Sequence, residues 1–280
     1  ETGRANYQFF TEQMNQSASR RLALEHDLRQ ALVNDEMRVY YQPVVDADSG
    51  AIASVEALLR WQRPDFGLVL PGDFIPLLEE TGLIVPAGEW VLETACAQLQ
   101  AWHALGWPRL RMAVNLSSRQ LQTDGLLRTI ERNLAQHPFR VGQLELEITE
   151  GMLMQQGGAT TEMLGALRAL GVRLAVDDFG TGYSSLSYLR RFPIDTLKID
   201  RSFVRDIPGD ATDSAITTAI IVLAQSLKLN VIAEGIETQA QRDFLHSLGC
   251  RWMQGYWFSP PLPAEEVTRL LEARNPRPYT

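Results

Sequence analysis

Two aspartates stand side by side in the string VDDFGTGYSS, where an apolar run ends and a glycine-rich loop begins. Like charges about 4 Å apart repel by about 4 kcal/mol when the effective dielectric is near 20. If a buried strand ends at Asp177 and Asp178, a cation between the carboxylates is needed to hold them together. The alternative is a pair that is merely solvated in a turn, and the other strand ends distinguish these two interpretations.

Polar side chains end other apolar runs of the chain in the same way. The runs end in SVE, MAVN, LELE, LAVDD, TLK and VIAE. A single acidic residue in such a place is usually a helix cap or a solvated loop residue, but ordinary loops would offer Ser, Thr and Gly at several of these positions. The successive polar ends therefore favour one shared site. Its candidate residues are Glu56, Asn115, Glu147, Asp177, Asp178, Lys198, Glu234 and Gln254.

Carboxylates that converge on one mouth repel one another unless cations lie between them. Hard divalent ions bind oxygen, so this donor set favours Mg²⁺ or Mn²⁺ over zinc. The four histidines lie in predicted helices or loops, which argues against a histidine-based site. Side chains alternate along a strand, so only one of Asp177 and Asp178 can point straight into a barrel. At a strand end the chain leaves the pleat, and both can then reach two ions that share a bridging carboxylate.

Three further features near these strand ends suit phosphate chemistry. Lys198 is the only cation among the candidate strand-end residues. A salt bridge to Asp177 or Asp178 is its simplest role, and it can also stabilise charge on a phosphoryl oxygen. Arg60 offers a planar fork that matches a phosphate. The loop with Gly180 and Gly182 is either a simple turn or a mobile loop over the site, and its position after the aspartates favours the latter.

The elements that must position these residues alternate along the chain. Eight strand-like runs with interleaved helices predict an α/β fold, a closed TIM-like (β/α)8 barrel with its chemistry at the C-terminal rim. An open doubly wound sheet is the main alternative, but no GxGxxG follows the first strand and no P-loop occurs. The first two strands are joined by only DADSG, so they should pair antiparallel. Helices are predicted over 86–106, 119–137, 157–170, 212–228 and 238–248, with Gly171 and Gly249 as C-terminal caps.

Composition excludes several classes of function. The chain has 280 residues, of which 45% are apolar, enough for one large domain or two small ones. Its formal net charge of −8 argues against broad binding to nucleic acid but not against a small anion held by metal ions. No apolar stretch approaches the roughly 18 residues of a membrane span, so no membrane contact by this segment is expected. The two cysteines have no CxxC spacing and are predicted to be buried cytosolic thiols.

Residues 1–34 differ in pattern from the rest. GRANYQFF is typical of a short edge strand, and the following residues predict one helix with Leu24, Leu28 and Leu32 on one face. That face has no evident partner in the segment, so the helix is interpreted as a linker to a preceding domain. Because the first residue is not Met, we expect the sequence to be a piece of a longer protein.

The ordered motifs resemble the EAL family of bacterial cyclic di-GMP phosphodiesterases. The resemblance covers roughly residues 35–275, while GRANYQFF resembles the last strand of a GGDEF domain, which implies a GGDEF–EAL tandem parent. The strings that carry it are YQPVVD (41–46), EALLR (56–60), GDFIPLLEETGLI (72–84), NLS (115–117), ELEITE (145–150), DDFGTGYSSL (177–186), LKID (197–200), AEGIET (233–238) and QGYWFSPPLP (254–263).

The resemblance implies a TIM-like barrel with an antiparallel first strand and assigns a role to each matching residue. The implied metal ligands are Glu56, Asn115, Glu147, Asp177, Asp178 and Glu234. The implied catalytic residues are Glu234, Lys198, which assists the nucleophilic water, and Glu237, which holds that lysine and the water in place. The implied substrate contacts are Gln42, Leu58, Arg60 and Gln254. Glu150 matches the residue that anchors the DDFGTG loop.

The implied activity is hydrolysis of cyclic di-GMP to linear pGpG with two Mg²⁺ or Mn²⁺ ions, Ca²⁺ being inhibitory. Many family members have lost ligands and serve only as receptors, which is the alternative here; a barrel hydrolase for another phosphodiester is a third. The resemblance further implies a cytoplasmic homodimer that pairs through 183–195. Upstream GGDEF and sensor domains would act on it through the helix over 12–34, and a membrane anchor elsewhere in the parent stays open.

Overall fold

Strands and helices alternate along the protein in its computed structural model, which describes residues 24–64, 66–155, 158–182, 189 and 191–275. The expected strand at GRANYQFF and residues 183–188 and 190 of the expected pairing segment lie outside this part. The strands are β1 (Met37–Asp46), β2 (Ile52–Arg63), β3 (Gly67–Val69), β4 (Arg111–Asn115), β5 (Leu144–Thr149), β6 (Arg173–Phe179), β7 (Thr196–Ile199), β8 (Asn230–Ala233) and β9 (Trp252–Met253).

The described strands form one sheet that closes on itself. Its order is β1-β9-β8-β7-β6-β5-β4-β2-β3, and β1 also pairs with β2, so eight strands make the barrel and β3 extends β2 as a hairpin. The strands from β4 to β9 pair parallel, whereas β1 runs antiparallel to both of its neighbours. The TIM-like barrel and the antiparallel pairing that DADSG predicts are thus confirmed.

Helices connect the parallel strands and cover the barrel. They are α1 (24–31), α2 (Pro71–Thr81), α3 (Ile84–Ala104), α4 (Ser118–Leu121), α5 (Leu126–Gln136), α6 (Glu150–Gln155), α7 (Gly158–Ala169), α8 (Arg201–Val204), α9 (Ala211–Ser226), α10 (Gln239–Ser247) and α11 (Ala264–Arg274). The helix predicted over 119–137 is two helices, because Ser117 forms a capping box with Gln120 and the chain turns at Thr123–Gly125 before α5. Gly171 and Gly249 end their helices with φ values of 89° and 79°, as predicted.

Helix α1, the described part of the predicted linker helix, packs against strand β2. Leu28 and Ala31 are fully buried in the same apolar cluster as Trp61 of β2, and Asp27 forms an ion pair with Arg63. The helix thus packs on strand β2, outside the segment 1–34 in which the sequence showed no evident partner. Among the described residues no helix is both long and apolar enough to cross a bilayer.

Candidate metal and catalytic centre

Lys198 lies at the centre of the site, fully buried at the C-terminal end of the parallel strands. Its Nζ lies 2.7 Å from Glu234 Oε1 and 2.8 Å from Glu147 Oε2. Asp177 Oδ1 and Glu56 Oε2 follow at 3.3 and 3.4 Å. One ammonium group thus contacts four carboxylates that come from four different strands or strand ends.

The strand register explains why these residues meet. Asn115 pairs with Glu147 across β4 and β5, and Thr149 pairs with Asp177 across β5 and β6. In a closed parallel barrel the carboxyl ends of the strands form one rim, so polar residues at those ends converge. Asn115 donates from Nδ2 to Glu56 Oε1 at 2.7 Å, which joins the amide to the carboxylate cluster.

Asp178 reaches the site by a break in the strand. Its φ is 52°, a left-handed value uncommon outside glycine, and the register between β6 and β7 shifts between Val176 and Phe179. The chain therefore leaves the pleat at this residue, and its amide donates to Asp177 Oδ1 at 3.0 Å. Burial, together with the charges of Asp177 and Asp200, raises the pKa of Asp178 to about 6.

The cluster brings several carboxylates together in a place that is largely shielded from water, and this shifts the pKa values of its members. Burial and the neighbouring carboxylates raise the pKa of Glu147 well above its usual value. Burial raises the pKa of Glu234 to about 8, with Lys198 opposing that rise. Burial by itself would lower the pKa of Lys198, but the surrounding carboxylates, Asp177 foremost, raise it well above its usual value. The lysine is thus held protonated, while Glu147 and Glu234 are pushed towards the neutral form. Glu56 is shifted the other way: burial would raise its pKa, but Lys198 and the hydrogen bonds from Gln254 and Asn115 lower it.

The donor set fits divalent metal ions. Oxygens of Glu56, Glu147 and Asp177 all lie within 4.8 Å of one another. The Glu234 carboxylate contacts the same Lys198, and the Asn115 amide is bonded to Glu56. Carboxylate and amide oxygens are the ligands that Mg²⁺ and Mn²⁺ prefer. Lys198 alone cannot balance the carboxylates, so added positive charge would relieve the repulsion that raises their pKa values.

The residues assigned to substrate contact lie beside this cluster. Gln254 donates from Nε2 to Glu56 Oε2 at 2.7 Å and to Gln42 Oε1 at 3.0 Å. Its own Oε1 is buried and has no hydrogen-bond partner among the described residues. Arg60 is buried, lies over the Tyr40 ring and donates to the Leu59 carbonyl. Leu58 and Asn115 line one cavity of about 530 Å³.

The loop after the aspartates is tied to Glu150. The amide of Gly180 donates to Glu150 Oε2 at 2.8 Å. A Cβ at Gly182 would lie 2.8 Å from Glu150 Oε1, so the loop passes close to this carboxylate. The contact is the kind that a loop anchor would make.

Glu237 is the one candidate that stands apart. Its side chain is exposed, its backbone amide donates to Gln241, and the four carboxylates that contact Lys198 do not include it. The contact with Lys198 that its assigned role requires is not made in this structure.

Two contributors escaped the strand-end pattern. Asp200 adds negative charge near Asp178, and the Ser259 carbonyl accepts from Gln42 at 3.2 Å. The strings LKID and QGYWFSPP contain them, but nothing in the residue types alone marks a helix-capping aspartate or a backbone carbonyl as part of a site.

A TIM-like barrel with a buried carboxylate cluster at the C-terminal rim of its parallel strands is the class of protein that this fold and site define. The family model described as EAL domain matches residues 25–261, and the chain belongs to that family.

The chain is similar to several curated bacterial proteins. It is 46% identical over 265 residues to the bifunctional diguanylate cyclase/cyclic di-GMP phosphodiesterase MucR of Pseudomonas aeruginosa, covering 95% of this chain and 39% of MucR. It is 41% identical over 269 residues to the cyclic di-GMP phosphodiesterase PdeR of Escherichia coli, covering 96% of this chain and 40% of PdeR. The chain thus spans about two fifths of the length of these relatives.

Solved structures agree with the fold. A PaMucR phosphodiesterase in complex with c-di-GMP shares 46% identity and a TM-score of 0.85, with 88% of this chain and 99% of that one covered. The EAL enzyme Bd1971, bound to cAMP and cyclic di-GMP, shares 36% identity and a TM-score of 0.87, with 91% of this chain and 70% of that one covered.

Proposed function

We propose that this chain hydrolyses cyclic di-GMP to linear pGpG with the help of two divalent metal ions. The observation that carries the proposal is the buried Lys198, surrounded by four carboxylates at the rim of an EAL-family barrel. The similar MucR domain, whose structure contains c-di-GMP, supports the choice of substrate.

The proposed metal ions are Mg²⁺ or Mn²⁺. Bound there, they would supply Lewis-acid charge to the phosphodiester and to the attacking water. Ca²⁺ should support binding but little turnover, because its longer, looser coordination positions the reacting groups poorly. The proposed ligands are Glu56, Asn115, Glu147, Asp177, Asp178 and Glu234.

The chain's own groups have separate tasks in the proposed reaction. With metal charge beside it, Glu234 would be ionised and would accept the proton of the water that attacks phosphorus. The bond from phosphorus to the leaving sugar oxygen then breaks, and that oxygen takes up a proton from solvent water. Lys198 keeps its proton and directs Nζ at the charge that develops on the phosphoryl oxygen. Glu237 would join Lys198 only if its exposed side chain turned inward.

Substrate recognition is proposed to use the groups beside the metal cluster. The unpartnered Oε1 of Gln254 suits a donor such as a guanine N–H, since a buried acceptor without a partner carries a desolvation penalty. The Arg60 guanidinium suits a phosphate, and Leu58 offers an apolar contact from its cavity. Gln42 would hold Gln254 in place through their hydrogen bond.

The direct test is to incubate the purified chain with cyclic di-GMP and Mg²⁺ and to look for pGpG by chromatography. Excess chelator should abolish turnover, and Mg²⁺ or Mn²⁺ should restore it. Binding without turnover would show the receptor function instead, which is the weaker candidate because every proposed ligand position carries an oxygen donor. A panel of cyclic dinucleotides would expose a different phosphodiester substrate.

We also propose that residues 1–34 end a preceding GGDEF-like domain and that 35–275 form the phosphodiesterase domain of a cytoplasmic, homodimeric parent with upstream sensor domains. The proposed pairing segment includes Tyr188, which lies outside the described residues. Tyr188→Glu should give a monomer in light scattering and lower turnover. A monomer that turns over at the parent rate would contradict the coupling between pairing and catalysis.

A further inference from the structure

A second large cavity opens at the end of the barrel opposite the carboxylate cluster. Its volume is about 810 Å³, and its walls include residues from strand starts and from the loop before β4. Arg111 begins β4 and Trp252 begins β9, whereas Asp46 ends the antiparallel β1, so all three stand at the same end of the barrel. The volume lies in the usual range of small-molecule sites, about 300–1,000 Å³.

The charge of this cavity is positive and unbalanced. Its single acidic wall residue, Asp46, already accepts two hydrogen bonds from Arg251, at 2.6 and 3.0 Å. Arg109 and Arg111 also line the cavity, and within the described part of the chain no carboxylate forms an ion pair with either of them. Two arginines therefore line one cavity in a chain whose formal net charge is −8.

Of the two arginines, Arg111 gives the stronger evidence for an anion site. It is half-buried, and burial lowers the pKa of its guanidinium. The nearby carboxylate of Glu145 is engaged elsewhere, since it accepts from Arg173 at 3.1 Å and from Thr196 at 2.8 Å. A desolvated cation without an ion-pair partner is costly, and an anion in the cavity would remove that cost.

The remaining walls are aromatic and apolar. The guanidinium carbon of Arg111 lies 5.5 Å from the centre of the Trp252 ring, which steadies both side chains at the cavity wall. Trp107 is buried there, with Nε1 donating to the Asn275 carbonyl at 2.8 Å. Ile52 adds an aliphatic surface. Such walls favour a ligand with a planar or apolar body over a bare inorganic ion.

We propose that this cavity binds a small organic phosphate of mononucleotide size. The phosphoryl group is held by the forks of Arg109 and Arg111, which match phosphate geometry, and the planar body lies against the wall of Trp252 and Ile52. This site is separate from the metal cluster and does not depend on the proposed hydrolysis.

Calorimetric titration of the whole chain with GMP, in excess chelator, tests the proposal. Excess chelator leaves the carboxylate cluster without the cations that would draw a phosphate to it. Because Arg60 and Gln254 could still hold GMP there, the variants of Arg109 and Arg111, which line only the second cavity, assign the signal. We expect Arg109→Ala and Arg111→Lys each to weaken GMP by about tenfold, because each removes charged hydrogen bonds to the phosphate. Arg128→Ala, which removes an exposed arginine on α5 that does not line the cavity, should leave the affinity unchanged.

Two comparisons decide the chemistry of the ligand. Inorganic phosphate and guanosine should each bind at least about tenfold more weakly than GMP, since each lacks one half of the contacts. If inorganic phosphate bound as tightly as GMP, the proposal that the ligand is an organic phosphate would be wrong. If GMP did not bind, or if Arg109→Ala bound it as tightly as the parent, the proposed site would be wrong. Arg109 is exposed, so its replacement should not unfold the chain.

Discussion

Lys198 concentrates the electrostatic problem of the site in one side chain. A lone ammonium in contact with four carboxylates stabilises them, yet it leaves an excess of negative charge that bound metal ions would neutralise. Its protonation is secure because those carboxylates raise its pKa. A fixed positive charge next to the reacting phosphate contributes most when negative charge develops there.

Lys198→Ala should therefore lower kcat more than it raises KM. The expected loss in kcat is about 10²-fold or more, the scale of removing one charge-stabilising donor. Steady-state kinetics with cyclic di-GMP gives both constants. Lys228→Ala, which changes an exposed lysine, is the matched control and should leave both unchanged. A variant that loses affinity but keeps its rate would refute the assigned role.

Glu56→Gln tests the metal cluster without changing side-chain size. The variant keeps one acceptor oxygen, so it can accept from Asn115 or from Gln254 but not from both, and it loses the charge that a divalent ion needs. Metal affinity and turnover should fall by more than the roughly 10–100-fold that loss of an outer partner costs. Calorimetric titration with Mn²⁺ measures the metal affinity directly. Exposed Glu131→Gln is the control, and equal metal affinity in the two variants would argue against Glu56 as a ligand.

The loop from Asp178 to Gly182 depends on backbone that only glycine adopts easily. Gly180 has a φ of 102°, and a Cβ there would lie 2.7 Å from the Phe203 ring. Gly180→Ala should therefore displace the loop and Asp178 with it, lowering both Tm and turnover, with a backbone cost of about 1–2 kcal/mol before the clash.

The control for this change is Gly165→Ala. Gly165 lies on helix α7, and a Cβ there meets nothing within 4 Å. That variant should keep full turnover and gain slightly in stability, because alanine favours a helix. Thermal unfolding and turnover measured on both variants make the comparison. Normal turnover in Gly180→Ala would show that the loop does not position Asp178.

The same elements show what sequence patterns can predict. A polar residue after an apolar run marks a strand end, and the ends of parallel strands share one rim. The sequence therefore predicted that residues such as Asn115 and Glu147 lie close together, as they do. Strand β3 was missed because three residues are too few to show a period. Burial of Leu28 depends on distant β2, and the outward direction of Glu237 depends on loop geometry, neither of which local pattern encodes.

At the scale of the whole molecule, the two ends of the barrel carry opposite charge. The C-terminal rim gathers carboxylates around one lysine, whereas the other end presents Arg109 and Arg111 to a cavity whose aspartate is already paired. Metal-free protein must therefore fold with mutually repelling carboxylates. Its stability should respond to pH and to metal ions together.

The raised pKa of Glu234 determines whether the stability of the metal-free protein rises or falls with pH. Its pKa is about 8 in the folded protein against an ordinary 4.5, so between these values the folded state holds a proton that the unfolded state has lost. Stability falls with rising pH wherever the folded state binds more protons, so it should decline across this window. Asp178, with its pKa raised to about 6, adds to the decline at the acidic end.

Thermal unfolding in chelator should accordingly give a lower Tm at about pH 8 than at about pH 5.5, at roughly 2–4 °C for each kcal/mol lost. Mg²⁺ should raise Tm more at the higher pH, because it binds the ionised carboxylates. Glu234→Gln, which carries no charge at any pH, is the matched variant and should show a shallower decline. A parent Tm that stays level or rises between these two pH values in chelator would contradict the charge balance assigned to the cluster.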